Sequence, residues 1–234
     1  MTTDIDRHGS LALELARRLA QYQANRSTLF DWMDPGWLGG VQQAGEGATA
    51  ARSRQRARAL DAWLSEAGSP VPPFNAFRSD AALLGALPLD DAFAALCLRA
   101  LHFRRAELRY WVDRESREKV TQWLGRAGAA ALRWLIEIPH APAADRLIRE
   151  HGMEPLDSLD DYALSWEGFC LFSASGLCAP STPGGLLRYA WPRDALPPRW
   201  LTASSTGCYS DESLNVVRRL GDFYANVNAQ WSTT

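Results

Sequence analysis

The stretch Asp90–Asp113, "DDAFAALCLRALHFRRAELRYWVD", decides the fold class. Phe93, Leu96, Cys97, Ala100, Leu101, Leu108, Trp111 and Val112 recur at the spacing that puts side chains on one face of an α-helix. A half-buried strand would alternate, and this run does not. Asp90 is placed to cap the first turn, where carboxylates satisfy orphan N–H groups and oppose the helix dipole. Arg104 and Arg105 are the one polar break in the face.

The same period extends outward in both directions. Upstream, Leu11, Leu15, Leu19, Tyr22, Leu29, Phe30 and Met33 trace one face from a Ser10 cap to the Pro35-Gly36 stop. "AARSRQRARALDAWLSEAG" offers Ala59, Leu60, Trp63 and Leu64 inward and ends at Gly68-Ser69-Pro70. A Pro-rich connector, "SPVPPFNAFRSD", is expected to be packed down by Phe74 and Phe77, and a short helix near 81–87 follows it. Downstream, Asp113 caps a helix to Leu124 that is closed by Gly125, with Glu115 and Lys119 in the favourable i,i+4 order. Further helices are expected over 127–138 and 142–151. Leu159, Tyr162, Ala163, Trp166, Phe169 and Cys170 share the face of another, and Leu214, Val217, Leu220, Phe223, Tyr224 and Val227 that of a closing helix. The expected architecture is all-α: an irregular bundle of seven to nine helices with Pro/Gly-rich loops at 39–50 and 179–205. It forms one domain over 1–234, with a weak subdivision near 67–79.

Composition narrows the function. An apolar fraction of 47% against 22% charged residues describes a globular chain, and a net charge of −2 gives no global pull toward nucleic acid or anionic lipid. Gly168–Leu187 is uncharged over a bilayer length, but its Pro and Gly residues rule out a continuous spanning helix. The N-terminus has no apolar leader core, so the protein is expected to be cytoplasmic. Cys97, Cys170, Cys178 and Cys208 show no zinc or redox spacing and read as buried thiols.

The sequence offers little chemistry. There is no phosphate-binding loop, no nucleophile elbow and no histidine pair at metal spacing, so no cofactor is expected. The acidic doublets Asp90-Asp91 and Asp160-Asp161 each open an apolar helix and suggest an all-α magnesium enzyme on diphosphate substrates. The third carboxylate such sites need is replaced by Ala94 and Leu164, and helix capping explains both doublets. Arg52, Arg54, Arg56 and Arg58 suggest a nucleic-acid-binding helix, although alternate positions turn by about 200° and make a girdle rather than a stripe. Between Glu150 and Leu187 there are acids, Asp157, Asp160 and Asp161 among them, and no Lys or Arg. Separated poles of this kind suit docking between charged proteins.

Ten tryptophans remain to be placed. Trp63, Trp111, Trp123, Trp134 and Trp166 fall on apolar helix faces and are expected in the core, as is Trp32. Trp191 and Trp200 lie in loops. Trp37 and Leu38, beyond the Asp34-Pro35-Gly36 turn, are candidates for a partner-facing or interhelix handle. With Arg52, Arg54, Arg56, Arg58, Asp157, Asp160 and Asp161 they form the expected interface set.

Three segments, "YQANRSTLFDWMDPGWL" (22–38), "LHFRRAELRYWVDRESREKVTQWLG" (101–125) and "DDYALSWEGFCLFSASG" (160–176), resemble the SctK/YscK family, accessory proteins of the bacterial type III secretion sorting platform, in its plant-associated branch. The resemblance implies a helical adaptor without enzymatic activity. Its implied partners are the cytoplasmic forkhead-associated-like domain of the inner-membrane ring protein and the platform scaffold, and through the scaffold the stator and ATPase. The implied location is peripheral, at the inner-membrane face of the secretion apparatus.

Overall fold

The computed structural model describes residues 2–38, 50–139, 150–203 and 209–224; the side chains of 2–8, 10, 38, 50–56, 203 and 209 lie outside that description. All its regular structure is helical, and no strand occurs among the described residues. Among the described residues seven α-helices run ten residues or more: α1 (Thr2–Ser27), α2 (Ala50–Glu66), α3 (Leu89–Phe103), α4 (Arg114–Trp123), α5 (Gly128–Glu137), α6 (Asp161–Ala174) and α7 (Tyr209–Tyr224). Short helical and 3-10 turns join them. The all-α expectation holds; the helix expected over 142–151 and Cys208 fall mostly or wholly outside the described residues.

The chain divides into two compact units, Met1–Ala86 with Cys178–Ala195, and Leu87–Leu177 with Leu196–Thr234. Residues 67–79 lie inside the first of these.

In the first unit, Leu15 and Tyr22 of α1 meet Leu60 and Leu64 of α2, with Leu29 and Met33 from the segment after α1 and Phe77 and Ala82 from the 3-10 turns after α2. Leu186 and Tyr189 complete this core from the 3-10 run Pro183–Ala190, which is remote in sequence. Gly85 makes that return possible, because a Cβ there would lie 2.1 Å from the Pro183 carbonyl oxygen. Buried Asn25 donates to the Gly85 carbonyl at 3.1 Å. Leu11 and Phe74, both expected inward, are exposed, while Phe77 is buried. Leu11 lies one turn before Leu15, which does reach the core, and Phe74 opens its 3-10 turn with only Phe77 turned in.

The second unit is built on α3 packed against α6. Alanines 92, 94, 95 and 100 let another helix come close, and so does Gly168, where a Cβ would sit 1.8 Å from the Leu96 carbonyl oxygen. Both helices are buried almost all round, so neither has the single apolar stripe the sequence suggested. Tyr162, in the first turn of α6 before its buried stretch begins at Leu164, is exposed although its period matched the core. On α7, Val216, Val217, Leu220 and Tyr224 are buried, whereas Leu214 is exposed.

The decisive stretch is one helix only to Phe103. Arg104 leaves helical geometry, a short turn Arg105–Leu108 follows, and Tyr110 and Val112 stand exposed. Pro88, not Asp90, is its N-cap residue. Asp113 caps α4 as expected, accepting from the Ser116 N–H at 2.8 Å, and Gly125 closes it at φ +58°.

Candidate partner-binding surfaces

In the first unit Trp37 is an interhelix anchor. Its Nε1–H donates to the Trp191 carbonyl at 2.7 Å. Its ring meets Tyr189 edge-on at 4.9 Å and Trp63 at 6.4 Å, and the Arg188 guanidinium lies 5.2 Å from its centroid. The turn that aims it is fixed by the Asp34 carboxylate, which accepts from the Gly36 N–H at 2.8 Å, and by the Asp34 N–H, which donates to Tyr189 O. Trp37 thus ties the Asp34–Leu38 turn to the returning run Pro183–Ala190. Trp32 is half-buried against the core and donates to the Asn25 carbonyl at 3.1 Å. Trp191 is buried, as is Trp200, which stacks on Phe103 at 5.1 Å in the second unit. Trp63, Trp111, Trp123, Trp134 and Trp166 are only half-buried. Trp191, at the end of the 3-10 run Pro183–Ala190, and Trp200, which the structure places in the short helix Arg199–Ala203 and not in a loop, are more deeply buried than the tryptophans of the longer helices.

Arg58 is exposed on α2; the side chains of Arg52, Arg54 and Arg56, and that of Leu38, lie outside the described residues.

The second unit holds polar chemistry that periodicity does not reveal. Arg104, 1% exposed, pairs with both oxygens of Glu167 at 2.8 and 2.7 Å. It also reaches Glu107 at 3.1 Å and the Glu154 carbonyl at 2.7 Å. Burial pulls the Arg104 guanidinium down, but hydrogen bonding and charge from Glu167 outweigh it and hold Arg104 above its ordinary value. Burial pushes the Glu167 carboxyl up, with Arg104 pulling the other way. Arg99 donates to the Ser213 hydroxyl at 2.9 Å. Arg105 donates to Pro139 O at 2.8 Å and pairs with Glu212 at 3.2 Å. His102 lies among these cations, stacked on Trp134 at 5.3 Å; burial first, then Arg105 and Arg99, lowers it from 6.5 to about 3. The only hint in the sequence was two adjacent arginines in an apolar helix, each needing an acid from another segment.

The acidic doublets have separate tasks. Asp91 is buried and pairs with Arg126 at 2.7 Å, so the capping expectation for the first doublet is corrected: its carboxylate closes an ion pair. Burial raises its carboxyl, against the pull of Arg126. Asp160 is the N-cap of α6 and accepts from the Ala163 N–H at 2.7 Å, as expected. Asp157, Asp160 and Asp161 are all exposed. No group of three His, Cys, Asp or Glu placed to hold a metal occurs among the described residues.

Lys119, the sole lysine, is expected beside Glu115. The structure puts its Nζ 4.8 Å from the Trp123 ring centroid and 5.7 Å from that of Trp111, donating to the Leu159 carbonyl at 3.3 Å.

The family model described as bacterial type III secretion protein (HrpB4) matches residues 12–224, nearly the whole chain. The chain belongs to the HrpB4 family. No curated protein and no solved structure matches it. The matched region of this HrpB4 chain contains all three segments that carried the resemblance, namely the Trp37 anchor, the arginine cluster with α4, and α6. Among the described residues of this HrpB4 protein, no helix is long and apolar enough to cross a membrane.

Proposed function

We propose that this HrpB4-family protein is a non-catalytic adaptor of the type III secretion sorting platform. It joins the cytoplasmic forkhead-associated-like domain of the inner-membrane ring protein to the platform scaffold, and through the scaffold to the stator and ATPase. It works in the cytoplasm at the inner-membrane face of the apparatus.

The family match over 12–224 is the observation that carries this reading. The internal chemistry supports it. Arg104 and Glu167, Asp91 and Arg126, and the Asp160 cap are engaged in holding helices together. The outward-facing features are charged and aromatic side chains suited to protein contacts. The test is co-purification of the tagged full chain with the scaffold and the ring protein, alongside secretion from a deletion strain. Recovery of both partners and loss of secretion are expected. Recovery of neither, or secretion that continues without the chain, overturns the proposal.

A further inference from the structure

Tyr110 and Val112 are 84% and 68% exposed, with half-buried Trp111 between them. Solvent-exposed apolar side chains in a row are costly to leave bare and often mark contact sites. This turn follows the short helix Arg105–Leu108 and is held by the Tyr110 N–H donating to Glu107 O.

The acidic segment 154–161 lies beside it, fixed by three bonds. Arg104 donates to Glu154 O at 2.7 Å, the Leu156 N–H donates to Glu107 Oε2 at 2.7 Å, and Lys119 donates to Leu159 O at 3.3 Å from its place over Trp111 and Trp123. Glu154, Asp157, Asp160 and Asp161 are exposed there. The bases nearby are largely engaged: Arg104 is buried on Glu167, Lys119 is held on Leu159 O, Arg109 donates to Ile138 O, and Arg114 pairs with Glu118. Arg117 is exposed and shares α4 with Glu115.

We propose that Tyr110, Trp111 and Val112, with Asp157 and Asp160 beside them, form a docking face for a protein surface that is apolar at its centre and basic at its rim. Charge complementarity selects that occupant. The exposed acids repel an anionic bilayer, which the aromatic side chains alone would suit. The proposal rests on the adaptor reading and names the partner chemistry of one of its two contacts.

The experiment measures binding of the full chain to the purified scaffold protein and to the ring protein's cytoplasmic domain at low and high salt. The variants are Tyr110→Ser with Val112→Ser, Asp157→Arg, and Leu196→Ser as an exposed apolar control. Circular dichroism and melting confirm that each is folded. For one of the two proteins, the double variant is expected to lose about tenfold or more in affinity and Asp157→Arg several-fold. The control should be unchanged, and the wild-type affinity should fall as salt rises. Variants that bind like the wild type overturn the docking face and leave the adaptor reading standing. A wild-type chain that binds neither protein overturns both. Phosphatidylglycerol vesicles that bind the wild type and release the double variant overturn the protein occupant in favour of a membrane.

Discussion

Protonating His102 in the folded protein means adding a charge to a ring that already faces Arg105 and Arg99, with Trp134 stacked on it. Its folded value of about 3 lies below the ordinary 6.5, so in that window the unfolded chain binds a proton that the native one refuses. The stability due to this group is complete above 6.5 and declines as pH falls toward 3. Its slope is at most about 1.4 kcal/mol per pH unit. Urea midpoints measured across this range should fall less steeply in His102→Asn than in the wild type. A second residue-scale test concerns Glu167, whose loss takes from the buried Arg104 guanidinium its bidentate partner and leaves it Glu107 and the Glu154 carbonyl. Glu167→Ala should cost about 3–5 kcal/mol in urea unfolding, and Arg104→Met with Glu167→Leu should recover much of that. Periodicity made Arg104 and Arg105 look like an interruption, because an ion pair joining Arg104 to Glu167 across distant sequence has no local signature.

At the scale of elements, the crossing of α3 and α6 depends on Gly168, whose missing Cβ lets the Leu96 carbonyl approach. Gly168→Ala should destabilise by about 2–4 kcal/mol, since backbone must move to relieve the clash. Gly221 on α7 has no heavy atom within 4 Å of a built Cβ, so Gly221→Ala should instead gain up to about 1 kcal/mol from helix propensity. Thermal melts of the two variants check the opposite signs. The elements most legible in the sequence were those bounded by local chemistry. The Asp113 cap, the Gly125 stop and the Asp160 cap are backbone rules that a few adjacent residues satisfy. The facing of α3 and α6 was not legible, because an almost fully buried helix has no polar side to orient it. Trp37 was legible as an anchor of some kind, but its acceptor on Trp191 lies 154 residues away.

Across the whole molecule, each unit is assembled from two separated pieces of chain. The first needs Leu186 and Tyr189 for its core and the Trp191 carbonyl for Trp37. Truncation after Leu177 should therefore leave residues 1–86 without a cooperative fold, read as loss of a sigmoidal melt and rapid proteolysis of that half. Recovery of a stable, protease-resistant 1–86 fragment would contradict this. The helical class was legible in the sequence, because amphipathic period is a local property. The division into two units was not, since the return of 178–195 depends on contacts such as Gly85 with Pro183 that no local pattern records.

The placement of Lys119 also matters for testing the proposed contacts by chemical cross-linking. An amine hemmed in by two indole rings and tied to a carbonyl reacts poorly with succinimidyl esters, and the chain offers no other lysine side chain. Amine-directed cross-linking would therefore leave this chain almost blank in any complex it enters. Carboxylate-directed reagents, given exposed Asp157 and Asp161, are the ones that would register it.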